Sequence, residues 1–153
     1  TTTHAFKALI EHPEQLAWLR EDFDSRIDGA IDEFIRWATP VLTFARHATE
    51  DHEIGTTKIS AGEKVALFYC SANRDETVFE RPGEFDITRA PNPQVGFGGG
   101  GTHFCLGSQL ARMELRQLFG ELVARLPDVA LGEPEYTHSM FIHGIKRMPI
   151  HLV

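Results

Sequence analysis

The chain has 153 residues, 42% of them hydrophobic and 24% charged, a composition that suits one globular unit with an ordinary core and excludes a disordered or fibrous chain. Its net charge of -7, with lysines and arginines scattered among acids, excludes the basic stripe of a nucleic-acid surface and leaves small molecules or proteins as partners. Two cysteines without CxxC spacing, no apolar run of membrane-span length and no leading signal peptide give the expectation of a soluble cytoplasmic protein in a reducing compartment.

In chain order, apolar residues recur at helical spacing from His4 to Glu11 (Phe6, Leu9, Ile10) and from Pro13 to Glu21 (Leu16, Leu19), with Pro13 placed to open the second helix. A third helix is predicted over Asp24 to Trp37, burying Ile27, Ala30, Ile31, Phe34 and Ile35, and Pro40 stops it. The period then falls to two. Val41 to Ala48, His52 to Ile59 and Lys64 to Tyr69 read as strands, broken by turn pairs such as Ala61-Gly62. A short helix near Ser71 to Val78 precedes an irregular stretch through Phe85 and Arg89, and the dense proline and glycine cluster from Pro91 to Gly101 reads as one long loop. Leu106 to Leu126 is the longest periodic segment, with Leu110, Met113, Leu118, Leu122 and Leu126 apolar and Arg112, Glu114, Arg116 and Glu121 polar, a long helix with one face in the core. Tyr136 to Val153 alternates enough for strands around a turn at His143-Gly144.

The segment richest in chemistry is Phe97-Gly98-Gly99-Gly100-Gly101-Thr102-His103-Phe104-Cys105-Leu106-Gly107, where a glycine loop delivers one cysteine to the start of a long helix. A thiolate is favoured there by the helix N-terminus, and the glycines let backbone pass close to something flat and bulky. Two readings of this segment alone stand side by side: a reactive thiolate, or a helix-entry loop with a structural cysteine. A phosphate loop is disfavoured, since there is no GxxxxGK[ST]. Glu33 and Arg36 form an acid-arginine pair at i, i+3 on the third helix, and Phe85-Asp86-Ile87-Thr88-Arg89 lies between that helix and the cysteine loop.

In this order the three elements resemble the cytochrome P-450 family, with an ExxR pair (Glu33, Arg36), a meander arginine (Arg89) and a CxG loop (Cys105, Gly107) opening the next helix. The resemblance covers essentially the whole chain. It implies a mainly α fold with small antiparallel sheets, of which this chain is the C-terminal, proximal-haem part. It also implies that Cys105 is the axial thiolate of a haem b iron, that Phe97, Gly98 and Gly107 line the haem, and that His103 and Arg46 hold its propionates. Glu33, Arg36 and Arg89 would form a buried charge network locking the meander and the cysteine loop. Substrate contacts would come from Val41, Leu42, Thr43 and Phe44 and from Met140, Phe141 and Ile142.

The stretches Arg36-Trp37-Ala38-Thr39-Pro40-Val41, Tyr69-Cys70-Ser71-Ala72-Asn73-Arg74-Asp75 and Phe141-Ile142-His143-Gly144-Ile145-Lys146 are most similar to bacterial hydroxylases of sterols and methyl-branched lipids. The implied activity is insertion of one atom of O2 into a C–H bond, with electrons from NAD(P)H arriving through a ferredoxin-type partner that docks near Cys105, where Arg112 and neighbouring bases would meet it.

Two departures stand out. Phe97 lies eight residues before Cys105 where the family places its aromatic seven before, so Gly98 takes that slot. The family's oxygen-activating acid-threonine pair lies about ten helical turns upstream of the ExxR glutamate, and Thr1, Thr2 and Thr3 fall a few residues too late to supply it. The isolated chain is therefore expected not to turn over substrate, with a non-catalytic haem-binding or self-associating piece as the alternative.

Overall fold

The computed structural model describes residues 1–125 and 128–153, and Leu126, expected to close the long helix, lies outside them. The first helix, α1 (Thr2–Glu11), is followed after His12 by α2 (Pro13–Glu21), where Pro13 takes a first-turn position whose N–H would have no helical partner anyway. The third, α3 (Phe23–Ala38), is capped by Asp22, whose carboxylate accepts from the Ser25 N–H at 3.4 Å. It ends at Thr39, a left-handed residue (φ 37°) whose N–H reaches the Ile35 carbonyl and whose hydroxyl donates to the Arg36 carbonyl, just before Pro40. Helix α1 begins two residues earlier than the periodicity of its apolar residues shows, and α3 one earlier, where the Asp22 cap rather than an apolar side chain fixes the start.

All five residues predicted for the inner face of α3 are buried, and α1, α2 and the last helix, α5 (Ser108–Arg125), pack around it. The Phe34 ring lies 4.6 Å from that of Phe119 and 6.3 Å from that of Phe85, so the core joins α3, α5 and the meander in one cluster. Each such aromatic, fully buried, contributes on the order of 1.5–3 kcal/mol.

Between α3 and α5 the chain makes small sheets. The outer pair is β1 (Thr43–His47) and β4 (Lys64–Phe68), antiparallel from Thr43 opposite Phe68 to His47 opposite Lys64. The predicted strand His52 to Ile59 is in fact a hairpin, β2 (His52–Ile54) and β3 (Thr57–Ile59), because Gly55 turns the chain at φ +61°. The predicted helix Ser71 to Val78 shrinks to α4 (Tyr69–Ala72). Two side chains take the following backbone: the Asp75 carboxylate accepts from the N–H and hydroxyl of Thr77, and the Asn73 carbonyl accepts from Arg36. After α5 come β5 (Val129–Leu131), β6 (Glu135–Tyr136), β7 (Ile145–Arg147) and β8 (Ile150–Leu152), paired β5 with β8 and β6 with β7. The β6–β7 pair flanks the predicted turn, and β5 has no counterpart in the sequence reading.

The long helix also differs from expectation. It starts at Ser108, not Leu106, and its core face is Leu115, Phe119 and Val123, while Leu110, Met113 and Leu118 are exposed. The helix is apolar on two sides, and α3 covers only one of them.

Candidate functional site

Glu33 and Arg36 are both fully buried. The pair is bidentate, with Nε of Arg36 donating to Oε2 and Nη2 to Oε1, each at 2.7 Å. The remaining guanidinium donors go to the carbonyls of Asn73 (2.8 Å), Pro82 (2.9 Å) and Glu84 (2.8 Å), so all five N–H groups of Arg36 have acceptors. Glu33 is equally saturated: it accepts also from the Asp86 N–H (2.9 Å), from Asn92 Nδ2 (3.0 Å) and from Arg89 Nε (3.3 Å). Arg89 in turn donates to the carbonyls of Glu80, Arg81 and Glu84. The three charged residues predicted to form a network thus lie together, and both arginines stand over the Phe79 ring. Beside them, burial pushes the Asp86 carboxyl up, but hydrogen bonds from the hydroxyl and N–H of Thr88 and the nearby Arg89 and Arg81 charges leave it below its usual range.

Several partners in this cluster have no signature in the sequence. Asn73 is fully buried, its Nδ2 donating to Thr39 Oγ1 (3.0 Å) and its Oδ1 accepting from the Val95 N–H (2.8 Å). Gln15 of α2 clamps the meander by donating to the Phe85 carbonyl (2.7 Å) and accepting from the Ile87 N–H (2.9 Å). Asp32, next to Glu33, holds Gln94 (3.1 Å) and Arg112 (2.5 Å). Arg112 also stands 5.5 Å over the Phe97 ring, and Arg116 pairs with Asp24 and Asp28. Arg112, expected to be a docking base, pairs with Asp32 of α3 and remains about one-third exposed.

The cysteine loop follows from this frame. The Gly98 N–H donates to the Val95 carbonyl and the Cys105 N–H to the Phe97 carbonyl at 2.9 Å, which folds the loop back on itself. Gly98, Gly100 and Gly101 all sit at positive φ (+98°, +99°, +77°), a backbone that side chains strain. Gly96, outside the quoted loop motif, is required for space: a Cβ there would lie 2.5 Å from Ile35 Cγ2. Cys105 is an exposed, free thiol just ahead of α5. His103 is exposed in the same loop, and Arg46 is exposed on β1 with its guanidinium 5.5 Å from the Phe44 ring and one donor on its neighbour's carbonyl.

Large apolar side chains are exposed on either side of Cys105 in the chain and along α5. Leu106 is wholly exposed, and Phe104, Leu110, Met113 and Leu118 are exposed as well. A soft sulfur donor in Cys105, exposed apolar side chains next to it in the chain, and two exposed side chains able to meet carboxylates, Arg46 and His103, are donors of the kinds that would fit a haem with its propionates. Among the described residues there is no group of three or more histidine, cysteine, aspartate or glutamate side chains that could hold a metal ion.

The two predicted substrate segments meet. Val41 and Ile142 form an antiparallel bridge, the Leu42 N–H donates to the Phe141 carbonyl (2.8 Å), and the Thr43 hydroxyl donates to the Met140 carbonyl (2.9 Å). Phe44 meets Phe141 edge-on at 5.4 Å. These residues are half-buried to exposed, with Met140 at 88%, so they belong to an apolar surface rather than to the closed core.

Comparisons with known proteins follow this geometry. A protein-family model described as Cytochrome P-450 matches residues 1–127. The chain is 52% identical over 149 residues to a methyl-branched lipid omega-hydroxylase of Mycobacterium tuberculosis, covering 97% of this chain and 35% of that protein. It is 44% identical over 149 residues to a steroid C26-monooxygenase of Rhodococcus jostii, covering 97% of this chain and 31% of that protein. A solved Mycobacterium marinum cytochrome in complex with pseudoionone superposes with a TM-score of 0.94 at 54% identity, over 97% of this chain and 36% of that one. The chain therefore spans about a third of the length of the curated relatives it matches.

Proposed function

The chain belongs to the cytochrome P-450 family, and from that premise we propose that it is the C-terminal, haem-holding part of a monooxygenase acting on a branched lipid or sterol. The observation that carries this reading is the exposed, unpaired thiol of Cys105, presented by a glycine loop that is braced on a saturated buried carboxylate and rimmed by exposed apolar side chains. In this reading Cys105 is the iron ligand, Arg46 and His103 take the propionates, and Phe97, Gly98 and Gly107 lie along the macrocycle. When bound, the haem supplies the iron at which O2 is activated for insertion of one oxygen atom into a substrate C–H bond, the other leaving as water.

The residues of this chain do the positioning. The Cys105 backbone is ordered from both sides, its N–H on the Phe97 carbonyl and its carbonyl on the N–H of Ser108 at the head of α5, which fixes where the sulfur is presented. The Val41–Phe44 and Met140–Ile142 segments form an apolar wall that orients a hydrocarbon chain and excludes water. Electrons from NAD(P)H arrive through a ferredoxin-type partner on the Cys105 face. Among the described residues no helix is long and apolar enough to cross a membrane; a cytoplasmic setting is part of the proposal.

The test is the reduced carbon-monoxide difference spectrum of the purified chain supplied with haem, repeated on Cys105→Ala. A Soret band at the position that gives the family its name, lost in the variant, supports thiolate ligation by Cys105. Haem uptake with the same spectrum in both proteins would refute it. A second reading has its own observation in exposed Leu106, Leu110, Met113 and Leu118: the chain alone is a non-catalytic, self-associating piece, which predicts oligomers on gel filtration and no stable thiolate band.

A further inference from the structure

His143 directly follows the apolar segment Met140–Ile142 and is fixed at three points. Its Nδ1 lies 2.6 Å from the carbonyl of Ala38, the last residue of α3. A carbonyl only accepts, so the proton sits on Nδ1. Its backbone N–H donates to the Pro40 carbonyl at 3.0 Å. Its ring packs 4.2 Å from that of His4, in the first turn of α1, and runs parallel to that of Tyr136 at 6.3 Å. His4 is buried, and its Nε2 has no hydrogen-bond partner, so the two rings meet by packing rather than by a hydrogen bond. Burial, with the neighbouring His143 second, lowers the His4 pKa to about 4, which keeps that ring uncharged near neutrality.

The consequence falls on the loop ahead of it. Thr137 closes the base, its N–H donating to the Gly144 carbonyl (2.9 Å) and its hydroxyl lying 3.2 Å from the Gly144 N–H. Between that base and β1 the carbonyls of Met140 and Phe141 are held by Thr43 and Leu42, while the side chains of Met140 and Phe141 are exposed. The backbone of the loop is thus tied down, and its apolar side chains face outward. Among the described residues, the side-chain hydrogen bond that joins this loop to the end of α3, the helix that carries Glu33 and Arg36, is that of the His143 ring.

We propose that His143 is a positioning residue: through its Nδ1–H bond to the Ala38 carbonyl it sets the Met140–Ile142 wall against the Val41–Phe44 wall and so determines which carbon of a bound hydrocarbon chain is oxidised. This rests on the monooxygenase reading above. An asparagine at this position places an N–H close to where the histidine Nδ1–H lies and lacks the ring, whereas a phenylalanine keeps the ring and lacks the donor.

The experiment uses the whole haem-loaded monooxygenase, wild type, His143→Asn and His143→Phe, with 15-methylhexadecanoic acid and cholesterol as probes. Three quantities are read: the carbon-monoxide difference spectrum, the dissociation constant from the substrate-induced Soret shift, and the ratio of terminal to internal hydroxylation. Loss of one neutral hydrogen bond that orders the wall is expected to raise the dissociation constant about fivefold in His143→Phe. The terminal-to-internal ratio falls with it at an unchanged thiolate band, and His143→Asn stays near wild type in both. A wild-type product ratio in His143→Phe overturns the proposal, and so does equal impairment of the two variants. Loss of the thiolate band in both variants also overturns it, since His143 would then serve the fold at large. A wild type without that band refutes instead the monooxygenase reading on which the proposal stands.

Discussion

Replacing Glu33 by glutamine keeps the shape of the side chain and removes the charge at the centre of the network. In either orientation the new amide N–H2 points at donors: Nη2 of Arg36 and the Asp86 N–H on one side, or Nε of Arg36, Nε of Arg89 and Nδ2 of Asn92 on the other. Two or three buried donors lose their acceptor, each at about 1–3 kcal/mol, and two guanidinium groups keep their charge without a buried counter-ion. Breaking a buried pair from one side costs about 3–5 kcal/mol, against a total stability on the order of 5–15 kcal/mol for a domain. Urea unfolding of the chain followed by circular dichroism should therefore shift its midpoint downward by about 2 M. Arg81→Ala is the matched control, because Arg81 makes its ion pairs with Glu84 and Asp86 at the surface, where a pair is worth at most about 1 kcal/mol. A Glu33→Gln midpoint no lower than that of Arg81→Ala would refute the argument that burial and saturation, rather than the pairing itself, give this carboxylate its weight.

Gly96→Ala places a Cβ 2.5 Å from Ile35 Cγ2 and is expected to destabilise the chain by about 1–3 kcal/mol in the same urea assay, an effect that Ile35→Ala relieves in a double-mutant cycle; additive losses would contradict the clash. His4 has its folded-state pKa lowered from 6.5 to about 4, so above 6.5 it contributes nothing to the pH dependence, and as the pH falls from 6.5 towards 4 the unfolded chain binds a proton that the folded one refuses. Stability then falls by up to about 1.4 kcal/mol per pH unit in that window, a slope that His4→Phe should remove. An unchanged slope in that variant, or a His4 ring that titrates near 6.5 by NMR, counts against the buried neutral histidine.

The inner face of α3 and the start of α2 were readable because their signals are local: five apolar residues on one stripe, and a proline at a helix start. The weight of Glu33 and Arg36 was not, since an i, i+3 acid-arginine pair is ordinarily a surface pair. What buries this one is a set of carbonyls from Asn73, Pro82 and Glu84, and backbone acceptors in an irregular segment have no residue signature. Helix α5 misleads for a different reason. Leu110, Met113 and Leu118 satisfy a helical period as well as Leu115, Phe119 and Val123 do, and only the position of α3 decides which set is covered. Strand β5 is three residues long and is defined by its partner β8, so no period could reveal it. The resemblance alone assigns substrate contacts to Val41–Phe44 and Met140–Ile142, and the meeting of these segments across the Val41–Ile142 bridge is a long-range fact that spacing cannot contain.

The charge network and the thiol are joined by a continuous path of hydrogen bonds, which gives the buried carboxylate a reason to be where it is. Arg36 takes the carbonyl of Asn73, and the Asn73 side chain takes the N–H of Val95. The Val95 carbonyl receives Gly98, and the carbonyl of the intervening Phe97 receives the N–H of Cys105. Asp32 makes a parallel connection through Arg112, which stands over the Phe97 ring. Each link is worth only about a kilocalorie, but the path starts on the fully buried Arg36 and Asn73 and reaches the exposed Cys105 through half-buried backbone, so the loop is anchored at its buried end. A glycine loop is by composition the least ordered segment of a chain, and here it is ordered from the rigid side. In the proposed role, a loop that presents the Cys105 sulfur to a haem iron and keeps its glycine backbone close to the macrocycle would need both properties at once, and α3 supplies the one that the loop lacks.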